Sequence, residues 1–243
     1  MRYFTKQWYN DTVLAEMCFQ IKSSPKAERP DEKYFKSLYS AQESWFVRNE
    51  KRTAKFAKLP FDKAAAEAKF AENFNENLEY VKANLPEDIL SRVADVRLLA
   101  IGSASYETTQ AIVRYCGQVN RRCEAVKEEY ESANEKLADS IGWYKINSLN
   151  LITNAKIASA EQVGEDFVIT TSPEYTDIAC KVTLSSAKVC CLDEKAVGAS
   201  VLFIELLPTE TEGEIELNLL CATEDGKSAE LSLLAKDIET VEI

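Results

Sequence analysis

The hydrophobic period of this chain changes once, near Trp143. Before that point apolar residues recur at three- and four-residue steps; after it they alternate with polar ones. The first spacing lines up side chains along one stripe of a helix, and the second puts them on one face of a strand. The charge breaks at nearly the same place. Residues 1–148 carry 23 Lys/Arg against 22 Asp/Glu, and residues 149–243 carry 6 against 18. The net charges are therefore +1 and −12, together the −11 of the whole chain. The expected fold is α+β: an N-terminal helical bundle-like region over 1–145, then a C-terminal antiparallel sheet or half-barrel over 146–243. The two parts are able to pack as one unit.

The helical part reads as five helices. Thr5 can cap the first, which has Trp8, Val13 and Met17 on its apolar side. The second spans about Asp31 to Lys58, with Tyr34, Phe35, Leu38, Tyr39, Trp45, Phe46 and Phe56 at helical spacing. Pro60 stops it, and Asp62 caps a third that runs to about Asn84. A fourth starts at Pro86 and ends at Gly102. Ser103 or Ser105 caps the last, whose stripe runs from Thr109 through Cys116 and Cys123 to Leu137. About five or six strands follow. Alternation is clear at Phe167 and Ile169, from Ile178 to Leu184, from Ile215 to Cys221 and from Ala229 to Leu233. Val201 to Leu207 is apolar on both faces and reads as a central strand, its second face available for cover by the helical part. Thr223 to Lys227 is a tight hairpin with Gly226 supplying positive φ.

Several function classes are excluded by composition. The chain has no histidine, which removes Ser-His-Asp and Cys-His catalysis and His-ligated zinc. Its seven glycines are scattered singly, so no phosphate-cradling loop can form. No cofactor and no metal site is expected. No run approaches the roughly 18 apolar residues of a membrane span, and Met1 to Lys6 lacks the apolar core of a signal peptide. The expectation is a cytoplasmic protein with no membrane association. The seven cysteines read as reduced, mostly core residues. Cys190-Cys191 stands apart, because strand neighbours point to opposite faces and one of the pair can be exposed and reactive.

Three groups of residues are candidate sites. Glu214 and Glu216 point to one face of a strand and could act as acid and base or hold a divalent cation. That face is also simply the solvated side of a half-buried strand. Arg48, Lys51, Arg52 and Lys55, with Lys58, form a basic stripe on the second helix. The stripe can be a plain solvated face, or can meet an acidic protein; nucleic acid is disfavoured by a pI near 4.8. Trp143 and Tyr144 lie at the helix-to-strand junction, where a small-molecule pocket could form.

The opening Met1-Arg2-Tyr3-Phe4-Thr5-Lys6, with Trp8-Tyr9, resembles the start of an uncharacterised bacterial family, a domain of unknown function. Leu85-Pro86, Ile89-Leu90, Val93-Ala94-Asp95, Arg97, Leu99-Ala100, Gly102, Tyr115-Cys116 and Asp237-Ile238-Glu239 are similar too. The resemblance implies no established activity. Members place a His-Asp pair near the first strand, where this chain reads Ile146-Asn147-Ser148-Leu149. They also carry an acidic-aromatic stretch where this chain has Phe203-Ile204-Glu205-Leu206. If that pair is catalytic in relatives, this chain is an inactive member.

The leading expectation is a non-enzymatic interaction protein whose acidic β surface takes a basic partner, as immunity-like proteins neutralise basic toxins. The alternative is a carboxylate-based or metal-assisted enzyme with a site at the α/β junction.

Overall fold

A computed structural model describes residues 1–173 and 178–243. The chain is α+β and divides into two compact units: residues 12–120, and residues 1–11 with 121–243. This division differs from the expected 1–145 and 146–243. Two helices, α1 (Lys6–Glu16) and α6 (Tyr106–Ile141), contribute residues to both units.

The first unit is helical. A two-residue strand β1 (Lys22–Ser23) precedes α2 (Glu32–Ala57), α3 (Lys63–Asn84), α4 (Glu87–Leu90) and α5 (Val96–Ala100). A second short strand, β2 (Ser103–Ala104), pairs in parallel with β1. Aspartates start three of these helices. Asp31 accepts the Tyr34 amide, Asp62 those of Ala64 and Ala65, and Asp95 that of Arg97. Each satisfies amides that the first helical turn leaves free. The single fourth helix expected from Pro86 to Gly102 is two short ones. Asp95 is extended (φ −145°, ψ 108°) and caps a new start. The α2–α3 hairpin is joined by aromatic rings. Tyr39 meets Phe70 and Phe74 edge-on at 5.0 and 5.2 Å, and Phe46 meets Phe70 at 5.7 Å.

The second unit is built on a sheet. After α6 come α7 (Trp143–Ser148) and eight strands: β3 (Lys156–Val163), β4 (Asp166–Ser172), β5 (Cys180–Ser185), β6 (Lys188–Leu192), β7 (Ser200–Pro208), β8 (Ile215–Ala222), β9 (Ser228–Ala235) and β10 (Asp237–Glu242). They lie in the order β10-β5-β4-β3-β7-β8-β9-β6, and every pairing is antiparallel. Among the described residues eight strands replace the expected five or six, and the missed ones have physical reasons. All five residues of β6 are exposed, so it shows no alternation. A bulge between Ile157 and Ser159 shifts the period of β3. The inward side chains form one core, including Phe167, Ile169, Val182, Leu184, Leu217, Leu219, Leu231 and Leu233. Leu137, Ile146, Leu149 and Ile152 close it from the helical side of this unit.

β7 is the strand that positions the site. It pairs along its length with β8 but meets β3 only at Lys156 and Ser200. Beyond that point its backbone on the β3 side needs other partners. Val201 exchanges bonds with Asn154 and Ala155, and the Tyr130 hydroxyl of α6 serves the next groups, donating to the Ile204 carbonyl (3.3 Å) and accepting the Leu206 amide (3.1 Å). Burial raises the Tyr130 pKa, so the hydroxyl keeps the proton that it donates. The outward face of β7 is covered at Phe203, whose ring lies 4.9 Å from Trp8 and 5.7 Å from Phe4.

Candidate functional site

Among the described residues Glu205 is the most deeply buried carboxylate of the sheet unit, with no exposed surface. It sits on the outward face of β7, opposite Asn218 on β8. The amide of Arg2 donates to its Oε2 (2.8 Å), and those of Tyr3 and Phe4 donate to its Oε1, the first at 2.6 Å. Three consecutive amides converging on one anion form a nest, in which aligned backbone dipoles stand in for water. The Arg2 guanidinium adds a bond to Glu216 (3.4 Å), and Glu216 also accepts from Asn218 (3.1 Å). Phe4 then packs on Tyr130 and Trp8 at 4.7 and 4.8 Å. Glu205 therefore holds residues 2–4 on the sheet, and its acceptor capacity is used. The Arg2-Tyr3-Phe4 stretch and β7 meet at this point.

The sequence-predicted residues do not converge on a site. Glu214 turns back to accept the Thr209 hydroxyl (3.1 Å), while Glu216 serves Arg2 and Asn218, so the two act separately. Arg48, Lys51, Arg52 and Lys55 are exposed along α2, and none makes an ion pair among the described residues. Trp143 and Tyr144 are exposed on α7. Neither lines the neighbouring cavity of this unit, which takes Lys145 instead. Cys190 and Cys191 are both exposed, not one of the two, because β6 is exposed throughout and a bulge falls between Val189 and Cys191.

Two cavities bear on chemistry. The one in the helical unit, about 300 Å³, has Phe46, Phe70 and Phe74 with the carboxamides of Gln20, Gln42, Asn73 and Asn77 in its lining. No lining residue is ionisable, so it offers contact and hydrogen bonds but no proton carrier. The one in the sheet unit, about 360 Å³, is lined by Lys145, Lys236, Glu212, Glu214 and Asp237 among others. Here Lys145 bonds directly to Asp237. Burial alone would raise the Asp237 pKa, but the Lys145 bond and the Ile238 amide outweigh it and the net shift is downward. A general acid needs the opposite shift. Among the described residues no group of three His, Cys, Asp or Glu side chains is placed to hold a metal ion.

A row of carboxylates also lies on α6. In the part of α6 that belongs to the sheet unit, Glu124, Glu128, Glu131, Glu135 and Asp139 recur at three- and four-residue steps, and all are exposed. Glu124 pairs with Lys127 at 2.9 Å; the other four make no ion pair among the described residues. The signal was legible as helical spacing of carboxylates. It lies before the charge break at 148, in a stretch whose acids are balanced by bases elsewhere in the chain.

No family model matches this chain, and no curated protein matches it.

Proposed function

We propose that this chain is a non-enzymatic interaction protein that takes a basic protein partner on the acidic surface of its sheet unit. The observation that carries the proposal is the exposed stripe Glu128, Glu131, Glu135 and Asp139 on α6, four carboxylates that make no ion pair among the described residues. Like charges at this spacing repel within the helix, a cost that an opposing cationic surface would relieve. Such complementarity raises association rates and makes them salt-sensitive. Two further carboxylates of this unit support the same reading: Glu205 is taken up by backbone amides, and Asp237 is bonded to Lys145.

The test compares two charge reversals in the full chain. One changes Glu128, Glu131 and Glu135 to Lys; the other changes Glu161, Glu165 and Glu239 to Lys, at exposed positions elsewhere in this unit. Binding to a small basic protein is followed by calorimetry at low and physiological salt. A loss confined to the α6 variant supports a docking stripe. Equal losses would show that only net charge matters and would sink it.

A further inference from the structure

The end of the α2–α3 hairpin presents apolar side chains to water beside a block of cations. Phe56 is 82% exposed, Leu59 65% and Trp45 57%. At 100° per residue, Trp45, Arg48, Arg52 and Phe56 fall within an arc of about 80° on α2. Lys51 and Lys55 continue that arc on its other side, and Lys58 ends the helix in the left-handed conformation (φ 55°). From Lys51 to Phe61 the chain has four cations and no carboxylate. The flanking acids are engaged: Glu50 pairs with Lys69 at 3.5 Å, and Asp62 accepts the amides that start α3.

We infer that this hairpin end is a docking surface for an anionic phospholipid bilayer. Two features favour a bilayer over an acidic protein. The most exposed apolar groups, Phe56 and Leu59, stand at a helix end and its turn, where a fluid interface accepts them without a shaped pocket. Protein hot spots instead sit in well-packed surroundings. The cations adjoin the apolar groups on the same face, as an interfacial helix needs if rings enter the acyl boundary while ammonium groups stay among phosphates. Screening limits other charges of the chain to a reach of about 8 Å, so the local block governs close approach despite the net −11. No described helix is long and apolar enough to cross a membrane, and surface docking requires none.

Sedimentation of the full chain with vesicles tests this. Vesicles of phosphatidylcholine with phosphatidylglycerol should bind it at low salt, and vesicles of phosphatidylcholine alone should not. Each basic residue near the surface contributes about a fivefold change in partitioning. Lys51→Glu/Arg52→Glu/Lys55→Glu should therefore lose binding by about a hundredfold or more. Phe56→Ser/Leu59→Ser should lose about tenfold or more with the cations intact. Lys181→Glu on β5, also exposed, should change nothing beyond the small effect of net charge. Absence of binding to anionic vesicles overturns the inference. So does binding that the apolar pair leaves unchanged, since a purely ionic surface fits soluble polyanions such as an acidic protein or nucleic acid. Circular dichroism confirms that each variant folds; all the altered side chains are exposed.

Discussion

In the sheet unit nearly every inward side chain is shielded from water, from Phe167 on β4 to Leu233 on β9, whereas α2 runs for 26 residues without fully burying one. The difference follows from geometry. One face of a many-stranded sheet, covered by α6, α7 and the turn after it, gathers alternate residues of several strands into one interior. Two antiparallel helices share only a narrow seam, and here half-buried rings fill it. The sheet unit should thus resist opening as a body, and the hairpin should open locally. It also suggests why apolar side chains remain exposed on the hairpin.

The largest contrast should come from one substitution in each unit. Phe167→Ala is expected to cost about 4 kcal/mol, the range for emptying a sealed core. Phe70→Ala on α3 should cost about 1–2 kcal/mol, because half-buried rings can readjust. Urea denaturation measures both, and similar values would erase the distinction. Amide exchange should agree, with α2 exchanging well before β8.

Glu205→Ala should follow at about 3 kcal/mol, since it leaves three converging amides without their acceptor. Glu205→Gln should recover part of this, because a carbonyl oxygen can still accept. A near-neutral Glu205→Ala would mean that residues 2–4 are not held through this carboxylate.

A smaller effect is expected at Asp95, which combines a helix cap with paired bonds to Arg97 at 2.8 and 3.1 Å. Asp95→Ala should cost about 1–2 kcal/mol. The Arg97 hydrogen bond outweighs burial and lowers the Asp95 pKa. A carboxyl whose folded pKa lies below its unfolded value contributes stability above the unfolded value and loses it as pH falls through the folded one. Thermal melts from neutral pH to below pH ~3 should therefore show a shallower acid limb for Asp95→Asn than for the native chain.

The smallest effect is chemical. Cys190 and Cys191 should react first with a thiol reagent in the native protein, without loss of stability. Burial pushes Cys116 up to about 11 and Cys221 up to about 12, so both should wait for unfolding. Early labelling at Cys221 would mean that the sheet opens more easily than its core implies.

Much of this architecture was legible in the sequence. Alternation from Ile215 to Cys221 and Ala229 to Leu233 reads directly as β8 and β9, and Asp31 and Asp62 mark the helix starts that they cap. These features depend on residues within a few positions of one another. Strand β6 was hidden because it buries nothing, and the break between α4 and α5 because Asp95 caps within an unbroken apolar pattern.

The acidic bias after residue 148 shows where local reading stops. Alternating strands explain why polar residues are needed there, but not why they are acidic. Part of the answer is at Glu205 and Glu216, which receive the backbone and side chain of residues some two hundred positions earlier. Sequence alone determined most of the elements and their faces, because periodicity and capping are local. Only the tertiary structure decided which carboxylates are spent inside the fold and which stay exposed, because a nest of amides forms only when distant segments meet.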